Sequence, residues 1–146
     1  MGNYVLTLNE CVLYYHLGNL LEICVLITYD DNYIKELFTD LCDVANSKNL
    51  LQKKIGKDKT IAVKKRKNQI EAASNFKLYL DTRLGKPHIL HGNLEGLYAI
   101  EINAHTRMII KPVAEDLSAE ALSKCDKVII EGIIEYHGGK DEWLIP

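Results

Sequence analysis

Arg107, Ile109 and Lys111 stand two residues apart, the spacing that puts side chains on one face of a β-strand. Ile129, Glu131, Ile133, Glu135 and His137 repeat that spacing further along. If both segments are regular strands of one sheet, a surface carrying Arg, Lys, Glu and His results, which is not a core face. Such a surface is either simply wet or a site, and pattern alone does not choose. His88, His91 and His105 flank the same segments. Histidine changes charge near neutral pH and so suits proton transfer, although a lone one is more often a surface or satisfied core residue. No two stand at helical i, i+4 spacing with a third ligand nearby, so a zinc site is not expected, and no other cofactor is.

A second chemical feature is basic. Lys53, Lys54, Lys57, Lys59, Lys64, Lys65, Arg66 and Lys67 crowd one stretch against the single acid Asp58. A solvated helix face would look like this. So would a ridge that contacts phosphates, where each neutralised phosphate releases counterions.

The totals bound what these groups can belong to. At 146 residues, 47% hydrophobic and 26% charged, the chain suits one globular domain with a real core. A formal net charge of −2 argues against indiscriminate nucleic-acid binding, so the local basic run matters more than the average. Cys11, Cys24, Cys42 and Cys125 form no Cys-x-x-Cys pair and read as free thiols in a reducing cytosol. Residues 1–29 are apolar and hold no Lys or Arg, but Asn9, Glu10, His16, Asn19 and Glu22 interrupt them. A signal peptide needs a positive start and an unbroken apolar run, and a membrane span needs greater length. A cytoplasmic protein with no membrane partner is therefore expected.

Elements must position these residues. Cys24–Tyr29 is β-branched and apolar, a buried strand. Asp30 and Asp31 can cap a helix whose stripe is Tyr33, Ile34, Leu37, Phe38, Leu41 and Cys42. Ser47 opens a second helical stretch with Leu50, Leu51 and Ile55 inside, Gly56 punctuates it, and helix resumes from about Asp58 to Ser74 with Ile61, Ala62, Ile70 and Ala73 inward. Residues 75–83 read as a short helical turn closed by Gly85 and Pro87. Then the period falls to two. Tyr98, Ile100 and Ile102 face one way and Leu97, Ala99 and Glu101 the other, and Asn103-Ala104-His105 turns the chain into a strand at Arg107–Lys111 ended by Pro112. Residues 113–126 suggest a loop with one helical turn near Ser118–Ser123, and Lys127–Tyr136 reads as the last strand, broken only by Gly132. Helices first and strands later favour an α+β fold: an N-terminal strand and two to three helices packed on one face of a small antiparallel β-sheet.

Three segments resemble one family. His88-Ile-Leu-His-Gly-Asn-Leu-Glu-Gly-Leu-Tyr-Ala-Ile-Glu-Ile-Asn-Ala-His-Thr-Arg107-Met-Ile-Ile is similar to the central stretch of HigB-type toxins of the RelE/ParE superfamily. Glu135-Tyr136-His137-Gly resembles that family's terminal (Asp/Glu)-Tyr-His, and Leu51 through Arg66 to Ala73 resembles its basic helical segment. The likeness covers about residues 25–140. It implies a RelE/ParE-like fold and a toxin of a type II toxin–antitoxin system. Such toxins are metal-independent endoribonucleases that cleave mRNA, usually at the ribosome, and a cognate HigA-like helix-turn-helix antitoxin neutralises them. Related members poison DNA gyrase instead, as ParE does, and a decayed toxin would only bind its antitoxin.

Cleaving RNA without a metal needs a base for the 2′-hydroxyl proton, a cation for the phosphorane oxygens and an acid for the departing 5′-oxygen. The resemblance assigns these tasks to His88, Arg107, Glu135, Tyr136 and His137. Arg107 suits the cation role through its planar fork. His88 and His137 could be base and acid in either order, Glu135 a base or the residue that orients a histidine, and Tyr136 a stacking or phosphate-positioning group. Lys54, Lys57, Lys64, Lys65, Arg66, Lys67 and Lys111 are then the expected RNA contacts. Glu135 stands where many relatives carry aspartate, and Lys111 replaces the family's aromatic. Residues 1–24 have no counterpart, so a toxin domain of residues 25–146 starting naturally at Val25 is expected. N-terminal mass spectrometry of the native protein should return Val25 or its initiator equivalent; a peptide containing Leu13 or Tyr14 overturns that start.

Overall fold

The computed structural model describes residues 24–38 and 48–146. Ser47, Leu41 and Cys42, and the candidate extension before Cys24, lie outside the described residues. Strand β1 (Leu26–Thr28) leads to helices α1 (Asn32–Leu37), α2 (Leu50–Ile55), α3 (Lys57–Glu71) and α4 (Phe76–Thr82). Strands β2 (His88–Ile89), β3 (Tyr98–Glu101) and β4 (Thr106–Pro112) follow, then α5 (Ala119–Ser123), β5 (Lys127–His137) and β6 (Lys140–Ile145). Helix starts are set by short polar side chains that accept otherwise orphaned backbone N–H groups. Asp31 accepts from Tyr33 and Ile34, Asn49 from Gln52, Asn75 from Leu78 and Ser118 from Ala121.

The architecture is α+β, and the sheet is mixed rather than antiparallel. Its order is β1-β5-β4-β3-β2, with β1 parallel to β5 and the other pairs antiparallel. Two strands were not expected, β2 and β6. The second follows Gly138-Gly139, a two-residue hairpin signal with positive φ at both positions. Because β4 occupies one edge of β5 along Val128–Glu135, β1 and β6 share the other edge, β1 at the start of β5 and β6 at its end.

Alternation divides β3 and β4 between two faces as the sequence suggests. Tyr98, Ile100, Met108, Ile110, Val128, Ile130 and Ile133 face the helices and join Ile34, Phe38, Leu51, Val63, Ile70, Phe76 and Tyr79 in the main core. Phe76 packs edge-on against Tyr98, ring centroids 5.3 Å apart. Among the described residues the opposite face buries only the small cluster Ala99, Ile109 and Ile134, roofed in part by Leu90, Leu94, Leu97 and Tyr136. The other described residues leave the rest of it uncovered, and "open face" below means this side.

Helix α3 is turned differently from its apolar pattern. Thr60, Val63, Lys67, Ile70 and Glu71 point inward, while Ile61 is 44% exposed. Val63 and Ile70 set the orientation, and Ile61 lies about 200° from Val63 around a helix of 3.6 residues per turn. Lys67 consequently enters the core, its side chain 0% exposed, with Nζ donating to Glu71 Oε1 at 2.9 Å. Burial lowers the Lys67 pKa, and Glu71 works against that shift. Nearby Tyr29 has its hydroxyl pKa raised, by burial first and by the Glu71 carboxylate second.

A buried ion pair loses more hydration than it regains unless both partners stay together. Lys67→Met alone should therefore destabilise the protein by about 3–5 kcal/mol, because the buried Glu71 carboxylate loses the ammonium that donates to it. Lys67→Met with Glu71→Leu should recover most of that loss. Urea melts of both variants check this, and equal loss in the two would show that the pair itself carries the stability.

Candidate functional site

Strand β5 carries one residue more than its partner. Arg107 pairs with Ile134, Met108 with Ile133 and Ile109 with Gly132, and then Ile110 pairs with Ile130, so Glu131 is left over. Such a bulge inverts the side-chain phase beyond it. Ile129, opposite Lys111, stays on the open face, but Ile133 is in the core. The regular-strand expectation, with Ile129 through His137 on one face beside Arg107, therefore fails. Glu135 and His137 lie on the helix side of the sheet, and Tyr136 lies on the open face with Arg107.

The helix-side group is compact. Lys59, in the first turn of α3, donates to Glu135 Oε1 at 2.7 Å. The other oxygen, Oε2, is 2.5 Å from His137 Nε2. The Glu135 side chain is only 15% exposed, whereas that of His137 is 57% exposed. A carboxylate held by a lysine thus orients an accessible imidazole, leaving Nδ1 as the ring nitrogen that can meet a ligand. The hydrogen bond from Lys59 lowers the Glu135 pKa from its ordinary 4.5, with His137 adding to the shift. Lys53 and Lys54 close α2 and Lys57 opens α3, so three exposed lysines flank Gly56, with Lys57 in the same first turn as Lys59.

On the open face, Arg107 is tied to its own hairpin. Nη1 donates to the carbonyls of Asn103 at 2.7 Å and Thr106 at 3.1 Å, and Nη2 lies 3.5 Å from Glu101 Oε2. The guanidinium also lies 5.4 Å from the centroid of the Tyr136 ring. Tyr136 N donates to His105 O at 2.8 Å, which fastens the end of β5 to the hairpin tip. Arg107 therefore closes a turn, and its Nε makes none of these bonds.

The remaining expected residues separate. His88 is exposed on β2 and pairs with Ala99, its Nδ1 3.2 Å from Lys86 O. Two strand spacings and one two-residue step put its Cα about 12 Å from that of Arg107. It faces away from His137, so the two histidines do not form one acid–base pair. The basic run does not form one ridge either, because a helix distributes consecutive residues around its axis. Lys65 is exposed and Lys64 half-buried. Arg66 Nε donates to Glu101 O at 2.8 Å and Nη1 to Gln69 Oε1 at 3.0 Å, tethering α3 to β3. Lys67, an expected RNA contact, is in the core and cannot be one. Lys111 is exposed on the open face.

Sequence reasoning missed Lys59 as a site residue and missed Trp143 altogether. Lys59, Val63, Lys67 and Ile70 step by four, four and three along the inward stripe, which is the signal that could have found the first. Trp143 follows the Gly-Gly turn in the β-prone run Trp143-Leu144-Ile145, a strand signature. Among the described residues, no three His, Cys, Asp or Glu side chains are grouped to hold a metal ion, and no helix is long and apolar enough to cross a membrane. Comparison with known proteins returns no match: no family model, curated protein or solved structure is significantly similar to this chain.

The Glu135 pair makes stability pH-dependent in a definite direction. A carboxyl whose pKa is lowered by folding contributes stability above its unfolded value and loses it as pH falls through the folded one. Thermal melts should show the wild type more stable than Glu135→Gln at neutral pH, with the gap closing as pH drops below about 4.5. A gap that stays constant to pH 3 or so would remove the ion pair as its cause.

Proposed function

We propose that this protein is a RelE/HigB-type toxin that cleaves mRNA by internal attack of the 2′-hydroxyl. The observation that carries this reading is the Glu135–His137 contact, braced by Lys59 and bordered by the exposed lysines at Gly56. The three sequence segments that resemble the family supply the reaction class. An N-terminal strand with helices gathered on one face of the sheet accords with the architecture that resemblance implies.

In the reaction, the 2′-oxygen bonds to phosphorus while the bond from phosphorus to the 5′-oxygen breaks. One proton leaves the 2′-hydroxyl and one reaches the 5′-oxygen. His137 Nδ1 moves a proton at one of these two oxygens. Glu135 is the positioning residue that fixes the imidazole, and Lys59 holds Glu135. Lys54 and Lys57 contact phosphates on the helix side. Arg107 and Tyr136 meet the substrate from the other side of the same strand end, where Arg107 faces charge building on phosphate. His88 has no part in this arrangement. The partners are mRNA at the ribosome and a cognate helix-turn-helix antitoxin, in the cytoplasm.

Inducible expression in a bacterial host lacking the antitoxin, with primer extension on an abundant transcript, tests the proposal. Growth arrest with new in-frame cuts is expected. His137→Ala should lower cleavage by about 10²–10⁴, the range of a lost general acid or base. Lys59→Met should lower it less, and Glu135→Asp should retain more than Glu135→Ala. Arrest with intact transcripts would point to gyrase poisoning, and no arrest would point to a protein that only binds its antitoxin.

A further inference from the structure

Trp143 is the one tryptophan of the chain, and 39% of it stands in water. It pairs with Ile134, which places it on the open face with Arg107 and Tyr136. A Cβ added to Gly132 would come within 2.8 Å of Trp143 Cζ3, so the six-membered ring rests over the bare backbone of Gly132. Tyr136 lies on the other side of Ile134, with the Arg107 guanidinium against its ring. Two aromatic side chains thus flank buried Ile134 along about 13 Å of strand. Lys111 shares the face, and Glu101 and Asp141 oppose the positive charge there.

We propose that this open face is a stacking platform for the unpaired bases of a single RNA strand, with Trp143 as a contact residue. The proposal rests on RNA being the substrate and extends that reading by naming how the RNA is held. Every base offers a π-face that stacks on tryptophan or tyrosine, and an arginine beside the ring adds a cation that such a ligand meets favourably. Glu101 lies against both Arg107 and Lys86, and Asp141 also stands on this face, so binding here draws on stacking more than on phosphate contacts. Base-paired RNA hides the surfaces the platform needs. The platform is also continuous with the proposed cleavage site. Tyr136 sits between Glu135 and His137 in the chain, so a strand lying on the open face runs over the end of β5 toward the imidazole.

The sole tryptophan makes the test direct. The full chain is titrated with a short 2′-O-methyl oligoadenylate, which cannot cleave itself, and with the duplex it forms with oligouridylate. Tryptophan fluorescence reports the platform, and anisotropy of the end-labelled oligonucleotide reports binding anywhere. The single strand should quench Trp143 in step with anisotropy, and the duplex should do so far less. Trp143→Ala should weaken single-strand binding roughly tenfold to a hundredfold, and Trp143→Phe should restore most of it. The slope of log affinity against log salt should be the same in the alanine variant, because no phosphate contact is lost. Binding by anisotropy with no change in Trp143 fluorescence overturns the platform and leaves RNA as substrate. Equal weakening for single strand and duplex also overturns it, as does no binding of either RNA, and new cuts by primer extension would then still support RNA as the substrate.

Discussion

Strand β5 is hydrogen-bonded along both edges, to β4 on one side and to β1 and then β6 on the other. The single extra residue at Glu131 is accommodated within that constraint, and everything beyond it changes face. A Cβ at Gly132 would fall 2.1 Å from the Ile145 carbonyl oxygen, so only glycine lets the end of β6 close over this point. The bulge, the glycine and the closing strand are thus one feature. Through it Ile133 completes the main core, Glu135 reaches Lys59, and Tyr136 turns out to meet Arg107.

Helix α3 is fastened to the sheet by two of its cations, and a third is buried in a pair within the helix. Lys59 grips the far end of β5 through Glu135, Arg66 holds the end of β3 through the Glu101 carbonyl, and Lys67 is sunk into the core with Glu71. Gly85 supports the Arg66 tether, since its φ of 78° and a would-be Cβ contact of 2.7 Å to Ile100 leave room for no larger residue beside Arg66. Charges that look like one nucleic-acid ridge in the linear sequence are therefore divided between holding the fold and facing solvent. Those at the Gly56 junction face solvent, just before the residue that braces Glu135.

The same division shapes the candidate site. Its acid–base half and its cationic, aromatic half lie on opposite sides of one strand end, joined by alternation along Glu135, Tyr136 and His137. A substrate that engages both must wrap the end of the sheet. An extended single strand can follow such a path, whereas a rigid duplex cannot follow it as readily.

Local chemistry was legible from residues alone wherever the cause was local. The cap at Asp31, the helical turn near Ser118–Ser123, the β3–β4 hairpin with its alternating faces, and the helix-then-strand order all follow from side-chain type and spacing, which neighbouring backbone groups enforce. Glu135 and His137 also stand out as a pair, because their separation by two residues puts them together on any strand. Their partnership with Lys59, 76 positions away, was not legible, nor was their separation from Arg107. Both depend on the phase of β5 after the bulge and on the rotation of α3. Each is set by how β6 and the core pack against the rest, and side-chain periodicity within one segment carries no record of it.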